Sequence, residues 1–157
     1  MGDDRLVDLY EEVGRVVVPA AQLEQAITTL AYAVLGGDET SFRKTHGQPV
    51  GTLRKLIEPE AATRADEWWS AASLELLERA AELLDARHRV VHGYWTDIRG
   101  IVDGRSFVTF KPDLKSKTWQ AQYFDLSQLR ALAQQLESLS KKARLLADRL
   151  VHEVQRL

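Results

Sequence analysis

The apolar residues of segment 126–157 recur at steps of three and four, and this pattern constrains the fold more than any other feature of the chain. Such spacing places them on one side of an α-helix, which the sequence starts at a capping residue, Asp125 or Ser127. A helix over 126–156 would be roughly 45 Å long, so its apolar side must be covered by other helices, a second copy of the chain, or both. The members of this stripe are Leu129, Leu132, Leu136, Leu139, Ala143, Leu146, Leu150, Val154 and Leu157.

The first part of the chain predicts further amphipathic helices. One spans about 4–35, with Pro19 expected to kink or restart it. The glycine-rich stretch "GGDETSFRKTHGQPVGT" predicts a loop, and two helices follow at about 49–58, stopped near Pro59, and 61–92, terminated by Gly93. The stripe of the first helix consists of Leu6, Tyr10, Val13, Val17, Ala20, Leu23, Ile27, Leu30 and Val34.

Segment 94–125 changes to a strand pattern, with "YWTDI", "SFVTFKP" and "WQAQYFD" separated by turn-rich stretches. Phe107, Thr109 and Lys111 alternate with Val108 and Phe110, and "DG" at 103–104 indicates a hairpin turn. The sequence therefore predicts a mainly α fold. It is a single domain over 1–157, an up-and-down helical bundle with a small antiparallel hairpin or meander inserted before the last long helix.

Composition excludes several classes of protein. The chain has 157 residues, a formal net charge of -2 and no cysteine, which removes disulfide frameworks, thiolate zinc sites and a cysteine nucleophile. Its apolar runs are too short to span a membrane, and its start is acidic where a signal peptide would be basic. We therefore expect a cytoplasmic protein that does not engage the membrane, and nothing in the sequence indicates a cofactor.

The stretch "ARHRVVHGYW", residues 86–95, concentrates ionisable and aromatic side chains at the end of a predicted helix. At 100° per residue, Asp85, His88 and His92 fall on one stripe. Arg87 and His92 are about 140° apart, so both can address one ligand only if the arginine bends round, the helix loosens, or two protomers contribute.

These residues resemble the signature of HEPN domains (higher eukaryotes and prokaryotes nucleotide-binding): an arginine, a polar residue, and a histidine further on, here Arg87, His88 and His92. The continuation "HGYW" is similar to one subgroup of the family. The resemblance implies a helical bundle that forms a homodimer with both motifs in a shared cleft. Many HEPN proteins are metal-independent endoribonucleases acting as toxins or in antiviral defence, whereas others only bind nucleotides or scaffold partners.

The residue types suit RNA cleavage without a metal. His92 can act as general acid or base and Arg87 can hold the phosphate, with His88 and Asp85 in supporting and orienting roles. The expected products are a 2',3'-cyclic phosphate and a 5'-hydroxyl. HEPN toxins paired with a nucleotidyltransferase antitoxin carry a tyrosine where this chain has Tyr94, so the resemblance implies a possible adenylyl acceptor there.

Basic residues interleaved with aromatic ones predict an RNA-binding patch in the strand region. Phe107, Phe110 and Tyr123 accompany these basic residues, which can equally serve to protect edge strands from aggregation. The predicted RNA-binding residues are Arg89, Arg99, Arg105, Lys111, Lys115, Lys117 and Trp119.

Other interpretations stay open. Arg87, Arg89 and His92 can be groups that cap the helix C-terminus. Asp85, His88 and His92 can form a metal-binding face. Tyr94 and Trp95 can simply open a strand and pack on the bundle. Glu24 lies near the apolar stripe of the first helix and can reach the arginine cluster, but a solvated glutamate is the expected state. The alternative function is a non-catalytic HEPN-like module for dimerisation, nucleotide binding or partner binding.

Overall fold

The computed structural model describes residues 4–97, 106–113 and 116–156. These residues form a helical bundle with a small antiparallel sheet before the last long helix, which confirms the predicted architecture. None of the described helices is long and apolar enough to cross a membrane. In chain order the elements are α1 (Asp4–Val34), α2 (Glu39–Thr45), α3 (Val50–Thr63), α4 (Ser70–His92), β1 (Tyr94–Asp97), β2 (Ser106–Asp113), β3 (Thr118–Asp125) and α5 (Leu126–Val154).

The main core lies between α1 and α5, which run parallel. Near their first turns Arg130 of α5 donates to Glu12 of α1, and near their ends Val154 lies against Gly37, which follows α1. The apolar stripe predicted for the last helix is buried from Leu129 to Leu150 except for Leu146, which is half-buried, so the other helices cover most of it within one chain. Fully burying a leucine contributes roughly 1.5–3 kcal/mol, which makes this seam a major source of stability.

The predicted stripe of the first helix is correct only in its second half. Buried positions follow the prediction from Ala20 to Val34, but Tyr10 is 68% exposed. Leu9, Glu12 and Val16 are buried in the first half, one position away from the predicted residues. The helix carries two adjacent apolar stripes there, and contact with α5 selects one of them.

The helix continues through Pro19 without a restart, contrary to one of the two expectations for that residue. Residues 36–52, predicted as a loop, contain the short helix α2. Asp38 caps it by accepting from the backbone N–H of Ser41 at 2.7 Å, a signature that the surrounding glycines obscured.

Two helix boundaries were also predicted wrongly. Pro59 does not stop α3, which continues to Thr63 because its buried face, Leu53, Ile57 and Ala61, extends past the proline. Consequently α4 begins at Ser70 rather than near residue 61, after a turn in which the Ser70 hydroxyl donates to the carbonyl of Ala61 at 2.6 Å.

The adjacent tryptophans Trp68 and Trp69 anchor the start of α4 to neighbouring parts of the bundle. Trp69 is buried, with the Arg64 guanidinium 5.1 Å from its ring. Trp68 stays partly exposed, and it donates to Glu153 at 2.8 Å while Arg149 lies 3.8 Å over its ring. Both contacts of Trp68 are with the last turns of α5, so α4 starts where α5 ends and runs antiparallel to it.

The strands form a meander in the order β1-β2-β3. The side of the sheet that faces the helices carries Trp95, Phe107 and Phe124, and all three pack in or against the main core. The predicted "DG" turn at 103–104 lies outside the described residues.

Asp125 ends β3 and caps α5 in a reciprocal capping box with Gln128. The Ser127 hydroxyl and then the Gln128 backbone N–H donate to its carboxylate and hold the pKa of Asp125 below its usual value. A carboxylate with a lower pKa in the folded state stabilises the fold above its unfolded pKa, and this contribution disappears as the pH falls through the folded value.

Replacing Asp125→Ala should therefore lower the free energy of unfolding by about 1 kcal/mol at neutral pH, as loss of an N-cap does. In urea titrations the gap between variant and wild type should shrink as the pH falls below about 4. Asp148→Ala, an exposed position within the same helix, is the control. An equal loss at position 148, or a gap that does not depend on pH, would contradict the assignment.

Glu12 is a buried charge within the α1–α5 seam. Its side chain is 4% exposed, Arg130 donates to it at 2.6 Å, and Arg15 lies 4.0 Å from its second oxygen. That second oxygen has no hydrogen-bond partner among the residues that the structure describes. Arg130 therefore supplies most of the compensation for burying this carboxylate.

We expect Arg130→Ala to lower the free energy of unfolding by about 1–3 kcal/mol, because it leaves the buried Glu12 carboxylate without its hydrogen-bond donor. The double variant Glu12→Leu/Arg130→Ala should return to within about 1 kcal/mol of the wild type, because the leucine needs no charged partner. Chemical denaturation of the wild type, both single variants and the double variant measures this coupling. Additive effects in the double variant would show that the pair does not act as a unit.

Candidate functional site

The predicted site lies at the junction of α4 and β1. Helix α4 is regular through His92, and the N–H of Gly93 closes it on the carbonyl of Arg89 at 2.9 Å. Gly93 has φ -74° and ψ 146°, so it terminates the helix without a left-handed conformation. A Cβ at this position would lie 2.2 Å from the Thr109 hydroxyl and 2.6 Å from the Arg89 carbonyl. Glycine is thus required for the close approach of strand β2.

Three contacts anchor the sheet to the last turns of α4. The Trp95 indole donates to the Val90 carbonyl at 2.7 Å, and Arg89 donates to the side chain of Gln122 at 3.1 Å. The Thr109 hydroxyl donates to the Arg89 carbonyl at 3.5 Å. Sequence reasoning did not single out Thr109 or Gln122. Their only signal is strand alternation, which puts each on the side of the sheet that carries Phe107 and Phe124.

His88 and His92 are brought together. Both side chains are exposed, and their ring centroids lie 4.6 Å apart with planes tilted by 46°. This agrees with their spacing of four on a regular helix. The protein thus presents two adjacent imidazoles to solvent at the end of α4.

Arg87 points instead toward α1. Its side chain is only 21% exposed, and Nη1 lies 3.9 Å from Oε1 of Glu24. Glu24, for which the sequence favoured a solvated position, thus reaches this arginine. The Nε atom of Arg87 is buried and has no hydrogen-bond partner within the described part of the chain. A half-buried guanidinium with one distant carboxylate keeps donors for an anion.

The remaining members of the predicted cluster are arranged differently. Asp85 accepts from Arg89 at 2.8 Å, so this carboxylate compensates an arginine. Tyr94 opens β1, and its side chain lies outside the described residues. Arg87 and His92 are not brought together within one chain, since the helix is regular and the arginine turns toward α1.

Only part of the predicted RNA-binding patch is described. Lys117 and Trp119 are exposed, Arg89 is half-buried and paired, and Phe107 is buried in the core, where it cannot contact RNA. The other predicted members, Arg99, Arg105, Lys115 and the side chain of Lys111, lie outside the described residues.

Across residues 4–97, 106–113 and 116–156 no three His, Asp or Glu side chains are grouped to hold a metal ion. The alternative metal face of Asp85, His88 and His92 therefore does not form. Comparisons with family models, with curated proteins and with solved structures give no match to this chain. The HEPN resemblance stays a prediction based on residues 87–95.

Substitution of Gly93 tests the geometry of the junction, with Gly14 of α1 as the comparison. Gly93→Ala should destabilise the protein by about 1–3 kcal/mol, because its Cβ would overlap Thr109 and the Arg89 carbonyl. Gly14→Ala has nothing within 4 Å of its Cβ in the middle of α1 and should stabilise by about 0.5–1 kcal/mol. Thermal or urea unfolding of both variants measures the difference. Equal effects at the two positions would show that Gly93 is not tightly enclosed.

Proposed function

We propose that the protein is a metal-independent endoribonuclease that cleaves single-stranded RNA at the end of α4. The observation that carries the proposal is the incomplete pairing of Arg87. A guanidinium that is mostly removed from water normally has its donors satisfied. Among the residues that the structure describes, however, Nε has no hydrogen-bond partner, and the Glu24 carboxylate lies 3.9 Å from Nη1. Because Nε itself is enclosed, a phosphate group would bind the part of the guanidinium that remains exposed, in the planar geometry that arginine favours.

The two histidines supply the proton chemistry. Cleavage requires a base that takes the proton of a ribose 2'-hydroxyl as its oxygen attacks phosphorus, and an acid that protonates the leaving 5'-oxygen. Imidazole performs both roles near neutral pH, and His88 and His92 present two such rings side by side. The products are a 2',3'-cyclic phosphate and a 5'-hydroxyl, and a cation such as Arg87 stabilises the charge on phosphorus.

The separation of Arg87 from His92 favours a site built from two subunits. A regular helix keeps the two residues about 140° apart, and Arg87 is engaged with Glu24 on the α1 side. The helix is regular through His92, and the Arg87 side chain is directed toward Glu24. In a homodimer with a shared cleft, His92 of one protomer acts with Arg87 of the partner subunit.

Labelled single-stranded RNA incubated with the protein in excess EDTA should be cleaved to cyclic-phosphate ends. His92→Ala should lower the rate by about 10²–10⁴-fold, and Arg87→Ala by about 10²–10³-fold. Arg79→Ala on the same helix and His152→Ala on α5 are the matched controls and should cleave as the wild type does. Intact RNA with pure wild-type protein, or cleavage by all variants alike, would refute the proposal.

Mixing the two inactive variants tests the composite site. A heterodimer of Arg87→Ala and His92→Ala protomers contains one complete pair, so random exchange should restore about a quarter of the wild-type activity. If each protomer held its own site, the mixture would stay inactive. Exchange itself is verified with differently tagged protomers.

A second candidate is a non-catalytic module that binds a partner or dimerises. The exposed side of α1 favours it, because Val7, Tyr10 and Val18 form an apolar strip that nothing in the described chain covers. Such a module would keep its binding activity in the His92→Ala variant, whereas the nuclease would lose its function. Modification of Tyr94 by a nucleotidyltransferase antitoxin is expected only if the protein is a nuclease.

A further inference from the structure

The side of the sheet that faces away from the helices is lined by aromatic and apolar residues. Registered pairs in an antiparallel sheet share one side, so β2 and β3 together define this surface. We call it the outer sheet face. Its described members on these two strands are Val108, Phe110, Pro112, Trp119, Ala121 and Tyr123. Val108 is buried and Phe110 half-buried, so the open part of this face consists of β3 and the end of β2.

Two aromatic rings on this face are open to solvent. Trp119 is 68% exposed and Tyr123 51% exposed, and the small Ala121 separates them along β3. Positions four apart on a strand are about 13 Å apart. Half-buried Phe110 lies opposite Ala121 on the neighbouring strand. Packing of the sheet onto the bundle does not require either exposed ring, because Trp95, Phe107 and Phe124 make that contact from the other side.

Charge indicates what this surface binds. None of the six residues of the outer sheet face carries a carboxylate, and Lys117 is exposed at the turn that joins β2 to β3. Segment 99–117 has five basic and two acidic residues in a chain whose net charge is -2. Its acidic members are Asp103 and Asp113, and its basic members are Arg99, Arg105, Lys111, Lys115 and Lys117. Exposed aromatic rings in a strand region whose sequence has an excess of cations match single-stranded nucleic acid, whose bases stack on rings while its phosphates face cations.

We propose that the outer sheet face binds single-stranded RNA by stacking bases on Trp119 and Tyr123 and guides the strand to the end of α4. The RNA part of this inference rests on the proposed nuclease function. β1 begins two residues after His92, and the register Tyr94–Phe110–Ala121 crosses the whole sheet. With strands about 4.8 Å apart, the backbone of Ala121 lies about 10 Å from that of Tyr94.

The sheet holds a fixed position relative to the histidines. Arg89 lies between His88 and His92 in sequence, and it contacts both β3 through Gln122 and β2 through Thr109. These contacts come from the side of the sheet that carries Phe107 and Phe124, so a strand stacked on the outer sheet face passes the β1 edge to reach the last turn of α4. This arrangement makes base stacking a determinant of where the strand is cut.

Binding can be measured apart from cleavage with a fluorescein-labelled 2'-O-methyl oligo(U), which has no free 2'-hydroxyl to attack. In fluorescence anisotropy the wild type should bind, and Trp119→Ala and Tyr123→Ala should each weaken affinity roughly tenfold. Trp119→Phe should restore most of the affinity, because a ring is retained. Leu145→Ala on α5 is the matched control, since Leu145 is also 68% exposed, and it should bind as the wild type does.

The proposal is overturned if the wild type does not bind this oligonucleotide, or if Trp119→Ala and Leu145→Ala bind equally well. Either result would show that the exposed rings are not an RNA-stacking surface. His92→Ala should bind the uncleavable strand normally. If the wild type binds the oligonucleotide through Trp119 but does not cleave RNA, only the nuclease is refuted. If the wild type cleaves RNA but its binding does not depend on Trp119, only this binding surface is refuted.

Discussion

The parallel packing of α1 against α5 is the constraint on which the rest of the structure depends. Two parallel helices in one chain need a return path, and α4 provides it by running antiparallel from the last turns of α5, where Trp68 is fastened by Arg149 and Glu153. The sheet then occupies the end of the bundle at which α5 begins. The location of the candidate site is therefore a consequence of how the long helices pair.

The junction of α4 with the sheet combines rigidity with exposure. Gly93 allows β2 to approach the helix, and Arg89 ties two strands to its last turn. His88 and His92 nevertheless remain open to solvent. Arg87 lies on another side of the helix, and its Nε donor has no hydrogen-bond partner in the described part of the chain. Such a site holds its groups in place and leaves unmet hydrogen-bonding capacity, which is a common property of ligand-binding sites.

Much of the fold followed from sequence where a local signal was unambiguous. Most of the stripe of α5, its start at Asp125, one of the two predicted caps, and the meander of strands were predicted correctly. Errors occurred where two local signals competed. Glycines masked the capped helix α2, Pro59 was outweighed by a buried face that continues beyond it, and the first half of α1 offered two apolar stripes. For the candidate site, the pairing of His88 with His92 followed from spacing, but the contact of Arg87 with Glu24 did not.

The sequence by itself determined the periodicities, a cap of α5 at Asp125 or Ser127 and the angular separation of Arg87 from His92, because backbone geometry sets these within a few turns. Only the tertiary structure decided which stripe of α1 faces α5 and that Glu12 is buried beside Arg130. It also decided that Trp119 and Tyr123 lie on the side of the sheet away from the core. Such choices depend on residues distant in the chain, because burial is a property of the packed elements together and not of any one segment.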